Sequence, residues 1–200
     1  MPGKSDLPVI ILASRSPRRK QLLEQAGIPF IIQSADIAED FPDHLPSAKA
    51  PEYIAANKAD AIARQEPDSI IIAADTVVIL ENRIIGKPKD ETDAREMLRA
   101  LSGKKHEVVT GVVLQKAEKK RSFSETTEVY FHPLSDEQIQ YYISHYQPYD
   151  KAGAYAIQEW IGLVGIEKIR GDYYNVMGLP VQSLMQALKQ FYELPFPLFP

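Results

Sequence analysis

Three arginines cluster where an apolar segment ends, in the sequence ASRSPRR at residues 13–19. Ser16 followed by Pro17 is typical of a helix start, with serine as the N-cap and proline in the first turn. Arg18 and Arg19 would then lie at a helix N-terminus, where the dipole disfavours positive charge. A bound phosphate would resolve this conflict, because free N–H groups, the dipole and two guanidinium groups all suit it. The alternative is a solvated basic turn. A Walker A loop is excluded, because the segment contains no glycine.

One carboxylate interrupts the most apolar segment of the chain, residues 70–80. A buried, unpaired Asp75 would cost on the order of several kcal/mol, so it needs a partner, a metal or an open strand end. Buried carboxylates of this kind serve as catalytic bases or as Mg²⁺ ligands. A structural ion pair and a turn position are the alternatives.

Other charged residues are weaker candidates when each is taken alone. Lys87 lies in a GKP turn just past that segment, Lys58 lies among alanines in a predicted helix, and Glu39 follows the second predicted strand. Two loops at 149–158 and 171–180 combine small residues with charges, and ordinary loops are the alternative there. Taken together, the cations and carboxylates favour a phosphorylated substrate with a divalent metal.

Composition narrows the function classes. The 200 residues include no cysteine, which excludes disulfides, thiolate zinc sites and a cysteine nucleophile. The histidines show no ligand spacing, so any metal should be hard and oxygen-bound. The net charge of −4 argues against a nucleic-acid polymer as partner. Residues 70–80 are too few to span a membrane, and the N-terminus lacks a signal-peptide hydrophobic region, so we expect a cytoplasmic protein with no membrane partner.

Segments typical of strands and helices alternate along the chain, which predicts an α/β fold with a mixed sheet. A helix is predicted after Ser16, and a capping box of Ser135 and Gln138 precedes another. We expect one domain over residues 1–200, with 104–165 as the candidate for a smaller lobe. The predicted strands are 9–14, 29–37, 69–80, 107–115, 123–131 and 161–170, and the further helices are 52–65, 90–101, 136–145 and 181–192.

The chain resembles the Maf family of nucleoside triphosphate pyrophosphatases in six motifs that occur in the same order and spacing. They are LASRSPRR at 12–19, ADTVV at 74–78, GKP at 86–88, VVTGV at 108–112, DKAGAYAIQ at 150–158 and GDYYNVMGLP at 171–180. The resemblance implies hydrolysis between the α and β phosphates, which yields a monophosphate and pyrophosphate. It also implies an elongated mixed sheet flanked by helices, with a cleft between two lobes, similar to the inosine-triphosphate pyrophosphatases.

The resemblance also implies roles for individual residues. Asp75 is implied as the general base, and Glu39 and Asp75 as the ligands of a divalent cation, Mg²⁺ or Mn²⁺. The implied phosphate-side residues are Ser14, Arg18, Arg19, Lys58 and Lys87, and those of the other wall are Asp150, Lys151 and Asn175.

Three residues resemble the members of the family that prefer dTTP and UTP: Arg18, Thr76 and Gln158. A glutamine amide offers one donor and one acceptor, which match a uracil or thymine edge, and such a site rejects mismatched analogues. We therefore expect a dTTP/UTP pyrophosphatase, with modified pyrimidine nucleotides as further candidate substrates. The alternatives are a pyrophosphatase of the 7-methyl-GTP type and a non-catalytic nucleotide-binding regulator of cell division. Relatives are often homodimers, for which the apolar tail around Phe196 and Phe199 is the candidate contact.

Overall fold

Strands and helices alternate along the computed structural model, which describes residues 8–34 and 37–192. The strands are β1 (Ile10–Leu12), β2 (Ile31–Ile32), β3 (Ile70–Leu80), β4 (Arg83–Ile85), β5 (Lys105–Lys116), β6 (Lys119–Phe131) and β7 (Ile166–Arg170). The helices are α1 (Pro17–Gln25), α2 (Ala50–Ala63), α3 (Glu91–Leu101), α4 (Asp136–Tyr146), α5 (Trp160–Gly165), α6 (Tyr173–Met177) and α7 (Val181–Tyr192).

No helix within residues 8–34 and 37–192 is long and apolar enough to cross a membrane. The tail around Phe196 and Phe199, and with it the expected dimer contact, lies outside the described residues.

The strands form one mixed, seven-stranded sheet in the order β2-β1-β3-β5-β6-β7, with β4 paired to β3. β1 runs parallel to β2 and β3, whereas the pairs from β3 through β5 and β6 to β7 are antiparallel. The α/β prediction with a mixed sheet is confirmed. One domain with a smaller lobe at 104–165 stays a prediction.

The edge of β3 that faces β1 is only partly covered. β1 pairs with Ile70–Ile72, and β4 pairs with Val78–Leu80 on the opposite side from β5. Between these two pairings, β5 is the only regular strand partner that the described part of the chain provides for residues 73–77. The interruption leaves an opening in the sheet, and Asp75 lies beside it.

Helices cover both faces of β3, which explains its continuous apolar sequence. Alternate residues Ile70, Ile72 and Ala74 belong to a core cluster with side chains of α1 and α7. Ile71 and Ala73 pack instead with α2. Each fully buried Ile or Leu contributes roughly 1.5–3 kcal/mol relative to exposure. The core therefore holds β3 firmly on either side of the polar residues 75 and 76.

Two predicted strands are wrong in part. Of the described residues in the segment 29–37, only Ile31–Ile32 pair with β1, because β1 is three residues long. Residues 35 and 36 of that segment lie outside the described residues. The segment 161–170 begins as helix α5 and becomes strand β7 only at Ile166. Residues 128–131 of β6 offer pairing only to 166–170, while Ile161 is buried in a cluster with α4. The capping box of Ser135 and Gln138 is confirmed.

Candidate active site

A cleft of about 450 Å³ opens at the uncovered part of β3. It is lined by eleven of the twelve residues selected from the sequence: Ser14, Arg18, Arg19, Glu39, Lys58, Asp75, Thr76, Lys87, Asp150, Lys151 and Gln158. The fold thus gathers into one cavity side chains from distant parts of the chain.

Helix α1 begins at the cleft as the sequence predicts. Ser16 is the N-cap, and its hydroxyl accepts a hydrogen bond from the backbone N–H of Arg19 at 3.4 Å, with Pro17 in the first turn. Side chains in the first turn are thereby directed toward the opening in the sheet, where the helix N-terminus favours negative charge.

Arg19 is buried, and within residues 8–34 and 37–192 its guanidinium donates hydrogen bonds only to neutral oxygens. Its guanidinium donates to Gly178 O at 2.8 Å, to Thr76 Oγ1 at 2.9 Å and to Ser14 Oγ at 3.2 Å. Burial lowers the pKa of Arg19, although an arginine stays charged in proteins. Because its partners are neutral, the guanidinium keeps its full positive charge, and this charge attracts an anion into the cleft.

Arg18, in contrast, joins two walls of the cleft. Its Nη1 lies 3.1 Å from Asp150 Oδ2, although 132 positions separate the two residues. Burial opposes the ionisation of Asp150, but Lys151 and Arg18 outweigh it and hold the pKa of that carboxyl below its ordinary value. Lys151 Nζ lies 2.7 Å from the other oxygen, Asp150 Oδ1.

Asp75 and Thr76 face opposite sides of the sheet, because successive side chains of a strand alternate. Asp75 faces α2, where its Oδ1 accepts a hydrogen bond from Lys58 Nζ at 2.8 Å. Thr76 faces α1, where it accepts the hydrogen bond from Arg19, and its hydroxyl lies 2.9 Å from that of Thr110 on β5. Both sides meet in one cavity because the sheet is open beside these two residues.

Lys58 connects Asp75 to a second carboxylate. Its Nζ lies 2.6 Å from Glu39 Oε1, and Lys87 Nζ lies 3.4 Å from Glu39 Oε2. Burial tends to raise the pKa of Glu39, but the hydrogen bonds and charges of Lys58 and Lys87 outweigh it and lower the pKa below its ordinary value. Both oxygens of Glu39 have partners, whereas the described residues provide no hydrogen bond to Asp75 Oδ2.

Asn175 is the one of the twelve selected residues that does not line the cleft, and its part in the other wall stays a prediction. Asn175 is fully buried and lies outside the lining of the cleft. Its amide nitrogen donates to Val108 O at 3.0 Å and to Thr127 Oγ1 at 2.9 Å, which ties α6 to β5 and β6. The neighbouring residues Val176 and Gly178 line the cleft instead.

The cleft is positively charged in an acidic chain. Among the described residues its lining includes six cationic side chains and three carboxylates, whereas the whole chain has a net charge of −4. The cations are Arg15, Arg18, Arg19, Lys58, Lys87 and Lys151, and the carboxylates are Glu39, Asp75 and Asp150. This excess favours a ligand with several negative charges.

The family model described as "Maf-like protein" matches residues 9–191. The chain belongs to the Maf-like family. It is 52% identical over 184 residues to a Cytophaga hutchinsonii protein named "dTTP/UTP pyrophosphatase", with 92% of this chain and 84% of that protein covered. Proteins of the same name are 54% identical in Phocaeicola vulgatus, with 90% and 95% covered, and 47% identical in Bacteroides thetaiotaomicron, with 95% and 100% covered.

Two solved structures are also similar to this Maf-like chain. The Staphylococcus aureus Ham1 protein aligns with a TM-score of 0.44 at 16% identity and covers 61% of this chain and 71% of its own. A HAM1 protein from Coxiella burnetii aligns with a TM-score of 0.45 at 18% identity, and the corresponding shares are 62% and 73%.

The donor set of the Maf-like cleft fits a metal that is shared with a phosphorylated ligand. No three ligating side chains gather around one point within residues 8–34 and 37–192. Glu39 and Asp75, however, both approach Lys58 Nζ, so the two carboxylates converge on one cation. Mg²⁺ is commonly held by one or two carboxylates together with substrate phosphates and water.

Arg15 and Tyr155 are among the lining residues inside the six motifs that the sequence did not single out. Arg15 belongs to the ASRSPRR segment and donates from Nε to Ser34 Oγ at 2.9 Å. Tyr155 lies in the DKAGAYAIQ segment and is nearly buried in the wall. Arg15 could have been selected with the two arginines that follow it, whereas nothing local distinguishes Tyr155 from a core tyrosine.

Proposed function

We propose that this chain hydrolyses dTTP and UTP between the α and β phosphates, releasing the nucleoside monophosphate and pyrophosphate. The observation that carries the proposal is the shared cleft, in which a cationic lining surrounds one carboxylate on the central sheet. The names of the relatives support the choice of pyrimidine triphosphates.

The phosphates bind on the side where α1 begins. The helix N-terminus and the charge of Arg19 attract phosphate oxygens, and Ser14 adds a hydroxyl. Lys87, which is exposed at the rim, reaches the phosphates from the opposite direction. These groups offset the electrostatic repulsion between the triphosphate and the carboxylates of Asp75 and Glu39. They also stabilise the charge of the leaving pyrophosphate.

Asp75 acts as the general base that takes a proton from the attacking water. Lys58 holds one of its oxygens, which orients the carboxylate while the other oxygen is available to accept the proton. A positioned general base contributes roughly 10²–10⁴-fold to a rate.

Glu39 and Asp75 would also hold Mg²⁺ or Mn²⁺. Such a cation, when bound, neutralises phosphate charge and polarises the bond to be broken. Activity should therefore require added Mg²⁺ or Mn²⁺ and be lost with a chelator.

Gln158 recognises the base. Its exposed amide reaches the cleft and can pair with the donor and acceptor on the edge of uracil or thymine. Thr76 affects base recognition indirectly, through Arg19 and Thr110, because its hydroxyl is already hydrogen-bonded to both. Modified pyrimidine nucleotides that keep this edge are further candidate substrates.

The test is a panel of nucleoside triphosphates scored for pyrophosphate, with dTTP, UTP, 5-methyl-UTP, dCTP, ATP and 7-methyl-GTP. We expect dTTP and UTP to be the best substrates and Asp75→Asn to reduce kcat by roughly 10²–10⁴-fold while nucleotide binding persists. Asp136→Asn, at an exposed position on α4, is the matched control. Release of orthophosphate, or a preference for 7-methyl-GTP, would contradict the proposed reaction or substrate. Undiminished turnover by Asp75→Asn would remove Asp75 from the role of base.

A further inference from the structure

The segment that presents Gln158 to the cleft is a tight turn. Glu159 N donates to Ala156 O at 3.1 Å, which closes the turn over the two residues between them. Gln158 is one of those two and is exposed, whereas Ile157 is buried in the core. The direction of the amide therefore depends on how firmly positions 156 and 159 are held.

A single hydroxyl holds both ends of this turn. Tyr142, fully buried on α4, accepts a hydrogen bond from Ala156 N at 3.1 Å and donates one to Glu159 Oε2. Burial and the bond to Glu159 both raise the pKa of Tyr142, so its hydroxyl stays a donor at any working pH. The turn is thus fastened from behind by a residue outside the cleft.

The second oxygen of Glu159 connects the turn to the opposite wall. Glu159 Oε1 lies 3.5 Å from Lys151 Nζ, which in turn lies 2.7 Å from Asp150 Oδ1. Asp150 Oδ2 pairs with Arg18 at 3.1 Å. Two cations and two carboxylates thereby form a charge-balanced chain that runs from the turn to α1.

We propose that Glu159 is a positioning residue for base recognition, which fixes Gln158 relative to Arg18 by holding Tyr142 with one oxygen and Lys151 with the other. This inference rests on the proposed function, because it concerns how that same cleft selects a pyrimidine. Glu159 itself lies outside the cleft lining and acts through its neighbours.

The chain of contacts predicts which part of the ligand is affected. Removing the charge of Glu159 weakens its bonds to Lys151 and Tyr142, and the turn gains freedom. Phosphate contacts at Ser14, Arg19 and Lys87 are made by other elements and stay intact. A loss of one charge-assisted hydrogen bond corresponds to about ten-fold in affinity.

The experiment compares two ligands, non-hydrolysable α,β-imido-dUTP and inorganic triphosphate, by calorimetry on the full chain. We expect Glu159→Gln and Tyr142→Phe to weaken binding of the dUTP analogue by about ten-fold and to change triphosphate binding by less than about two-fold. The preference for dTTP over dCTP in kcat/KM should fall in parallel, mainly through KM. Glu167→Gln, at a half-exposed position on β7, is the matched control and should change the binding of neither ligand.

If the variants weakened the binding of both ligands equally, or of neither, the inference would be overturned. A merely structural role would affect the whole cleft or none of it. If a thermal melt shows that Glu159→Gln is not folded, the nearly isosteric Tyr142→Phe tests the inference by the same comparison of the two ligands. A wild-type chain that neither cleaves dTTP nor binds the analogue refutes the proposed function. A wild-type chain that does both, with variants equal to it, refutes only the role of Glu159.

Discussion

Arg18 and Arg19 are adjacent in the chain, but their surroundings give them different functions. Arg19 is held by three neutral oxygens, so its charge has no direct carboxylate partner among the described residues. Arg18 is paired with Asp150, so a ligand that binds Arg18 competes with a carboxylate. Arg19 therefore supplies a positive charge at a fixed position that attracts phosphate. Arg18 can exchange its carboxylate partner for a ligand, so it suits discrimination between ligands.

A buried histidine behind the cleft wall predicts an acid sensitivity. His106 is 1% exposed, and its Nε2 lies 2.7 Å from the hydroxyl of Tyr155. Burial lowers the pKa of His106 to about 4. Between an ordinary value of about 6.5 and this value, the unfolded chain binds a proton that the folded chain excludes. The free energy of unfolding should thus fall by about 3 kcal/mol as the pH drops through that window.

Denaturant titrations between about pH 7 and pH 4 check this pH dependence. In His106→Phe the loss of stability on acidification should be smaller by about 3 kcal/mol, although the variant starts less stable because the hydroxyl of Tyr155 loses its partner. His145→Gln, which removes a histidine at an exposed position on α4, is the control. An unchanged pH dependence in His106→Phe would mean that His106 does not titrate differently in the two states.

At the scale of elements, the contact between α2 and β5 sets the position of Lys58. A Cβ at Gly111 would overlap the backbone of Glu52 in the first turn of α2. Gly111 is the cross-strand partner of Asp75, so the helix passes close to the strand beside the carboxylate. Glu52 is further fixed by hydrogen bonds from Ser122 and Ser124 of β6. This close approach lets Lys58 reach Asp75 from α2.

Gly111→Ala should therefore displace α2 and impair catalysis together with stability. We expect a loss of about 1–3 kcal/mol in the free energy of unfolding, as for other overpacked sites, and a lower kcat. Gly86→Ala is the control, because a Cβ there meets no atom within 4 Å. Denaturant unfolding and dTTP turnover measure the two effects. Equal stability of the two variants would show that α2 adapts without cost.

The elements next to the cleft were predictable because their signals are local. Ser16 and Pro17 predict the start of α1, and the apolar segment around Asp75 predicts β3, both as observed. The partners of Arg19 were not predictable, since Gly178 lies 159 positions away and only the packing of α6 brings it near. The burial of the Asn175 side chain was not predictable for the same reason: its motif indicates a functional loop but not which side chains turn inward.

At the scale of the whole molecule, charge is distributed unevenly. A chain with a net charge of −4 concentrates an excess of cations around one cleft. The surface as a whole repels a polyanionic nucleotide, whereas the cleft attracts it, so the field directs the ligand to the opening in the sheet. Exposed cations at the rim contribute to this attraction over a distance of about 10 Å at 0.1 M salt.

Binding of α,β-imido-dUTP should therefore weaken several-fold as NaCl rises from about 20 to about 200 mM. Lys87 is 57% exposed at the rim, so Lys87→Gln should bind more weakly and show a smaller salt dependence. Lys20→Gln removes a charge of similar accessibility, 50% exposed on α1 but outside the cleft, and should retain the wild-type dependence. Calorimetric titrations at several salt concentrations make the comparison. If both variants lost salt dependence equally, the overall charge rather than the cleft would direct the ligand, because only Lys87 lines the cavity.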